Sequence, residues 1–123
     1  MVLQTLLAGH QVEIEFAMSG KRALKLFKER IAAVLLGTGA KMYQIILLDY
    51  SMPDMDGPQV AGAIIGMMQG LPPAIKKPYI CCVTSYDDHG FHQKALDAGM
   101  DGVYVKPLSD HILEKLLELH YNP

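Results

Sequence analysis

Ile45-Ile46-Leu47-Leu48-Asp49-Tyr50-Ser51-Met52-Pro53-Asp54-Met55-Asp56-Gly57 begins with four consecutive aliphatic side chains, preceded by polar Gln44 and interrupted afterwards by Pro53 and Gly57. A short unbroken aliphatic run bounded in this way fits a strand buried on both faces, as in a parallel sheet. Asp49 then stands at the strand's carboxyl end, where open α/β sheets bind ligands beside a topological switch point. A carboxylate carried there by so apolar a strand is costly unless a cation or hydrogen-bond donors meet it.

Two further runs offer such partners. Ile80-Cys81-Cys82-Val83 ends in Thr84, and Val103-Tyr104-Val105 ends in Lys106, which Pro107 follows. If the three runs are parallel neighbours, a carboxylate, a hydroxyl and an ammonium converge on one sheet edge. That set suits transient phosphorylation of the carboxylate. Asp49 would be the nucleophile, with Thr84 and Lys106 binding the transferred phosphoryl oxygens. Taken alone, Asp49 reads more readily as a loop carboxylate capping the next turn, and only its placement with Thr84 and Lys106 puts the acceptor site ahead. Thr84 also reads as a strand-end hydroxyl, and Lys106 less readily as a surface lysine, given its place between a buried run and Pro107.

Leu48 to Gly57, with Val83-Thr84-Ser85 and Val105-Lys106-Pro107 in that order, resembles the receiver domain of two-component response regulators and hybrid histidine kinases. The resemblance runs from about Val12 to the end of the chain. It implies a flavodoxin-like, doubly wound α/β fold with a parallel sheet. It also implies that Asp49 accepts a phosphoryl group from a phosphohistidine on a histidine kinase or histidine phosphotransfer protein. Thr84 and Lys106 would contact that group, a cis peptide bond would precede Pro107, and Asp49 with the backbone carbonyl of Ser51 would ligate Mg²⁺. Small Ser85 would leave the phosphoryl site open.

Two departures from the family stand out. Its first strand ends in an acidic pair that holds Mg²⁺, yet the first ten residues here contain no Asp or Glu. The resemblance therefore implies an N-terminally truncated member with its first strand missing, weak or absent Mg²⁺ binding and impaired phosphorylation. The second departure is Val103 at the family's aromatic switch position. Tyr104 is adjacent, but successive strand residues point to opposite faces.

Composition sets the outer bounds. The 123 residues are half hydrophobic, with a formal net charge of −2, which fits one domain over residues 1–123 with a sizeable core and argues against disorder. Basic residues are dispersed, so no nucleic-acid footprint emerges. No run reaches the roughly 20 apolar residues of a membrane span, nor is there a signal-type start, and a cytoplasmic domain is the default. Cys81 and Cys82 read as two small buried hydrophobes on opposite faces. His89, His92, His111 and His120 show no spacing that closes a metal site and read as surface residues.

Taken in order, Met1 to Ala8 has an apolar face at helical spacing and predicts a helical fragment, while Val12 to Phe16 alternates as a strand does. Ser19 caps a helix that ends at Gly37 to Gly39. Further helices are expected over Pro58 to Met68, His89 to Ala98 and from Ser109-Asp110 onward. Asp54 and Asp56 are assigned to the loop and to the helix terminus that follows, not to a metal. Loss of a first strand from between the second and third would leave Ile45 to Leu48 with an unpaired edge. The gap is expected to be closed by Val12 to Phe16 or by a second copy of the chain, which would make a homodimer. A phosphorylation-independent interaction module is the alternative function. An aspartate-nucleophile phosphatase is disfavoured because Ser51 stands where such enzymes carry a second acid, and no enzyme activity is expected.

Overall fold

The computed structural model describes residues 2–7, 10–15, 17–85 and 89–122. Its elements are β1 (Val2–Leu7), β2 (His10–Glu15), α1 (Gly20–Leu35), β3 (Ile45–Asp49), α2 (Gly57–Met68), β4 (Tyr79–Thr84), α3 (His89–Asp97), β5 (Gly102–Val105) and α4 (Asp110–His120). From β3 onward strand and helix alternate. β3, β4 and β5 form a parallel sheet in that order, with Asp49 opposite Val83 and Thr84 opposite Val105. Parallel neighbours need a crossover, and α2 and α3 supply it.

Local signals fix the helix ends. The Ser19 hydroxyl accepts the Arg22 N–H, and the Ser109 hydroxyl accepts the Ile112 N–H. Asp56 and Gln59 make a reciprocal capping box at the start of α2, with Pro58 in its first turn, a position where a missing N–H costs nothing. Beyond α1 the chain turns through Gly37, whose φ of 72° a side chain would disfavour.

The two faces of the sheet are covered unequally. Ile80 and Cys82 are fully buried together with Leu48, Phe27, Val60 and Ile64, so α1 and α2 lie over this face, and Ala95 brings α3 to it. The alternate residues face the other way. Tyr79 stacks on His120 of α4 at 3.7 Å between ring centroids, and α4 buries Leu116 and Leu117. His120 is therefore part of a packed aromatic pair, not the surface residue its sequence context suggested. Cys81 and Cys82 point to opposite faces as the strand period requires, and Val103 packs into the first face.

The amino-terminal part departs from its helical pattern. Val2–Leu7 is a strand paired antiparallel with β2, from Val2 opposite Glu15 to Leu7 opposite His10. Six residues are too few to sustain an isolated helix, whereas a ladder with β2 pairs the backbone groups on one edge of β1. The hairpin is a separate two-stranded sheet. It is tied to the body through Glu15, whose carboxylate takes the Arg30 guanidinium at 2.7 Å and the Tyr43 hydroxyl, and Arg30 lies over the Tyr43 ring. Burial, then Glu15, pushes the Tyr43 hydroxyl up to about 12.

The expected move of Val12 to Phe16 beside the Asp49 strand does not occur. β2 pairs with β1 in a sheet separate from that of β3, and Glu15 is held by Arg30 of α1 and by Tyr43. Among the described residues, the edge of β3 away from β4 has no strand beside it, and Leu47 is 43 % exposed, so β3 is not buried on both faces. A groove of about 1110 Å³ runs along this edge between α1 and α4.

Candidate functional site

The three strand tips reach one level of the sheet. Asp49 ends β3, Thr84 ends β4, and Lys106 follows β5. The ladder continues past the tips, because the Tyr50 N–H donates to the Val83 carbonyl at 3.0 Å and the Lys106 N–H to the Thr84 carbonyl at 2.8 Å. The Lys106–Pro107 bond is cis, as the resemblance implied. From this tip the Lys106 ammonium spans β4 and donates to Asp49 Oδ2 at 2.7 Å. The other carboxylate oxygen, Oδ1, faces the Ser51 N–H at 3.3 Å. Thr84 is 1 % exposed at the tip of the middle strand, while Asp49 and Lys106 are 42 % and 40 % exposed and open to a partner. An ion pair this exposed contributes at most about 1 kcal/mol to stability.

The loop after Asp49 is fastened at several points. Gly57 donates its N–H to the Tyr50 carbonyl at 2.8 Å, and a Cβ there would stand 2.7 Å from the Asp49 carbonyl oxygen, so only glycine fits. Asp56 caps α2 as expected. Asp54 does something its spacing did not reveal. It reaches back to the start of α1, where its two carboxylate oxygens accept the Gly20 and Lys21 N–H groups at 2.8 Å each. Those bonds hold its carboxyl below the usual carboxylate range. The partners are 34 and 33 residues earlier in the chain, so no local motif could have shown the contact.

Beneath the tips, burial and then the negative charges of Asp49 and Asp56 push the Cys82 thiol up to about 11, and burial with Asp101 pushes Cys81 to about 12. Both are neutral hydrophobes at neutral pH, and neither forms a disulfide.

Residues 1–118 match the model of the response regulator receiver domain. The chain belongs to the response regulator receiver family. It is 37 % identical over 81 residues to the signal transduction histidine-protein kinase BarA of Escherichia coli K12, covering 66 % of this chain and 8 % of that protein. It is 29 % identical over 117 residues to the transcriptional regulatory protein ZraR of Escherichia coli O157:H7, covering 95 % of this chain and 22 % of that one. The receiver thus spans less than a quarter of either relative. Among solved structures, the chemotaxis protein CheY4 of Vibrio cholerae superposes with a TM-score of 0.64 at 25 % identity, over 85 % of this chain and 74 % of that one. The receiver domain of the Arabidopsis thaliana histidine kinase CKI1, in a mutant form, gives 0.67 at 24 % identity, over 81 % and 68 %. The fold is the flavodoxin-like receiver fold with an open parallel sheet, and the chain is a receiver domain of two-component signalling.

Receiver domains generally bind Mg²⁺ for phosphorylation. Here the residues fit such an ion poorly. Among the described residues no three His, Cys, Asp or Glu side chains converge as metal ligands. Both oxygens of Asp54 and Oδ1 of Asp56 are committed to helix N-termini. That leaves the Asp49 carboxylate, already paired with Lys106, and the Ser51 carbonyl. Among the described residues, no helix is long and apolar enough to cross a membrane.

Proposed function

We propose that this receiver accepts a phosphoryl group on Asp49 from a phosphohistidine of a histidine kinase or histidine phosphotransfer protein. The observation that carries the reading is the 2.7 Å contact between the Lys106 ammonium and Asp49 Oδ2 at the level of the Thr84 tip. In the transfer, an Asp49 oxygen attacks phosphorus and an O–P bond forms as the N–P bond of the donor breaks. The donor imidazole leaves with the electron pair and takes a proton from solvent. Lys106 would shift from the carboxylate to a phosphoryl oxygen, keeping its charge against the developing negative charge. Thr84 would donate its hydroxyl to a second oxygen. We expect Mg²⁺ binding to be weak and phosphorylation correspondingly slow, since among the described residues charge screening between carboxylate and phosphoryl group falls to Lys106.

The test is incubation with a small phosphodonor, with and without Mg²⁺, followed by intact mass. A gain of one phosphoryl group that disappears in Asp49→Asn supports the reading, and Lys106→Ala should slow it by about a hundredfold or more. A second reading is a receiver that signals through protein contacts without phosphorylation. It is favoured by the thin donor set around Asp49, and absence of any mass gain under both conditions would select it.

A further inference from the structure

The loop between β3 and α2 carries one of the two groups that meet the Asp49 carboxylate. Lys106 takes Oδ2, and the Ser51 N–H faces Oδ1 at 3.3 Å. Lys106 is footed on the ladder, because its own N–H donates to the Thr84 carbonyl. Ser51 is exposed, as are Pro53 and Asp54 beyond it. At the base of the loop the Gly57 N–H donates to the Tyr50 carbonyl. At its tip the Asp54 carboxylate accepts the Gly20 and Lys21 N–H groups, each at 2.8 Å. Among the described residues, these two bonds are the hydrogen bonds that join residues 51–55 to an element other than β3. α1 has its own cap without them, since the Ser19 hydroxyl accepts the Arg22 N–H and the Ser19 carbonyl accepts the Ala23 N–H. The contact is also close: Gly20 is buried, and a Cβ on it would stand 2.8 Å from Met55 Cβ.

We infer that Asp54 is a positioning residue for phosphoryl transfer to Asp49, which rests on the acceptor role proposed above. By pinning the tip of the loop to α1, Asp54 keeps the Ser51 N–H on Oδ1 while Lys106 holds Oδ2. The plane of the acceptor carboxylate is then fixed from both sides before a donor arrives. Asp54 touches no reacting atom, and the bonds made and broken are those of the transfer itself. Its effect is geometric. A carboxylate free to rotate meets phosphorus in line less often, and a displacement of about 1 Å caused by a change remote from the chemistry can cost about a hundredfold in rate. With the helix already capped by Ser19, what the two Asp54 bonds add falls on the loop rather than on the start of α1.

The full chain and its Asp54→Ala, Asp54→Asn and Ser19→Ala variants are incubated with phosphoramidate, with and without Mg²⁺. Phosphoryl uptake is followed by intact mass, and hydrogen exchange at the Ser51 amide is recorded on the unphosphorylated chains. Expected in Asp54→Ala are uptake slower by about tenfold or more and Ser51 exchange faster by about tenfold. Asp54→Asn keeps one oxygen for the N–H groups of α1 and should fall between Asp54→Ala and the native chain. Ser19→Ala weakens the same helix end without touching the loop, so it should lower the thermal midpoint and keep the native rate. Uptake by Asp54→Ala at the rate of a phosphorylated native chain would overturn the inference alone, and so would unchanged Ser51 exchange or an Asn variant no faster than the Ala variant. Ser19→Ala as slow as Asp54→Ala would overturn it too, because general loss of stability would then account for the effect. No uptake by the native chain would defeat the acceptor role and, with it, the positioning role.

Discussion

At the scale of the residue, Asp49 and Lys106 meet because one ends its strand and the other directly follows its own, and a short motif is enough to reveal that. Asp54 shows what a motif does not reveal. Its two bonds to α1 tie the loop after Asp49 to a helix that ends before β3 begins, and only the folded chain puts the ends together. Its carboxyl is depressed by those bonds. Stability from Asp54 is therefore fully present above the ordinary carboxylate value of 3.8 and is lost as pH falls through its lowered value. We predict that Asp54→Ala is less stable than the native chain in urea at pH 7, with the gap closing near pH 3 and below. An equal gap at both pH values would mean that the charge plays no part. That Asp49, Thr84 and Lys106 lie at neighbouring strand tips was legible because each closes an apolar run. The His120 stack on Tyr79 was not, since ring pairing between a helix end and a strand start leaves no trace in local spacing.

The elements were read unevenly for a physical reason. Helices with a hydroxyl or carboxylate cap announce their first residue, and Ser19, Asp56 and Ser109 all do so. The helix start at Gly57 follows from the Asp56–Gln59 box, and Asp56→Ala should cost about 1 kcal/mol, seen as a drop of roughly 4 °C in the thermal midpoint. The amino-terminal strand was misread because Val2, Leu3, Leu6 and Leu7 satisfy a helical spacing, and spacing carries no information about whether a neighbour is available to pair. Its real constraint is the ladder to β2, fastened in turn by Glu15 to Arg30 and Tyr43. The unpaired edge of β3 was anticipated from the strand order. The failure of β2 to fill it follows from that same fastening.

For the whole molecule, among the described residues one face of the sheet carries three helices and the other carries α4 alone, yet both cysteines of β4 are fully buried. Their folded values of about 12 and 11 lie above the ordinary 9.0, so the stability they lend is complete below pH 9 and declines as pH rises through those values. We predict alkaline unfolding that begins above pH 9, with a shallower slope in Cys82→Ala. A thiol reagent at pH 8 should label neither cysteine in the folded chain and both in denaturant. Labelling of the native chain would show that β4 opens locally. The sheet order also governs how the protein is made. β4 is the described strand that covers β3, and it follows Asp49 by a helix and a turn, so a ribosome adding about 5–20 residues per second leaves the aliphatic run bare for roughly 2–7 s. An aliphatic run bare for that long is exposed to aggregation, so we predict that slower translation between Tyr50 and Thr84 lowers the yield of soluble product, measured as the soluble fraction after synthesis with rare codons placed there.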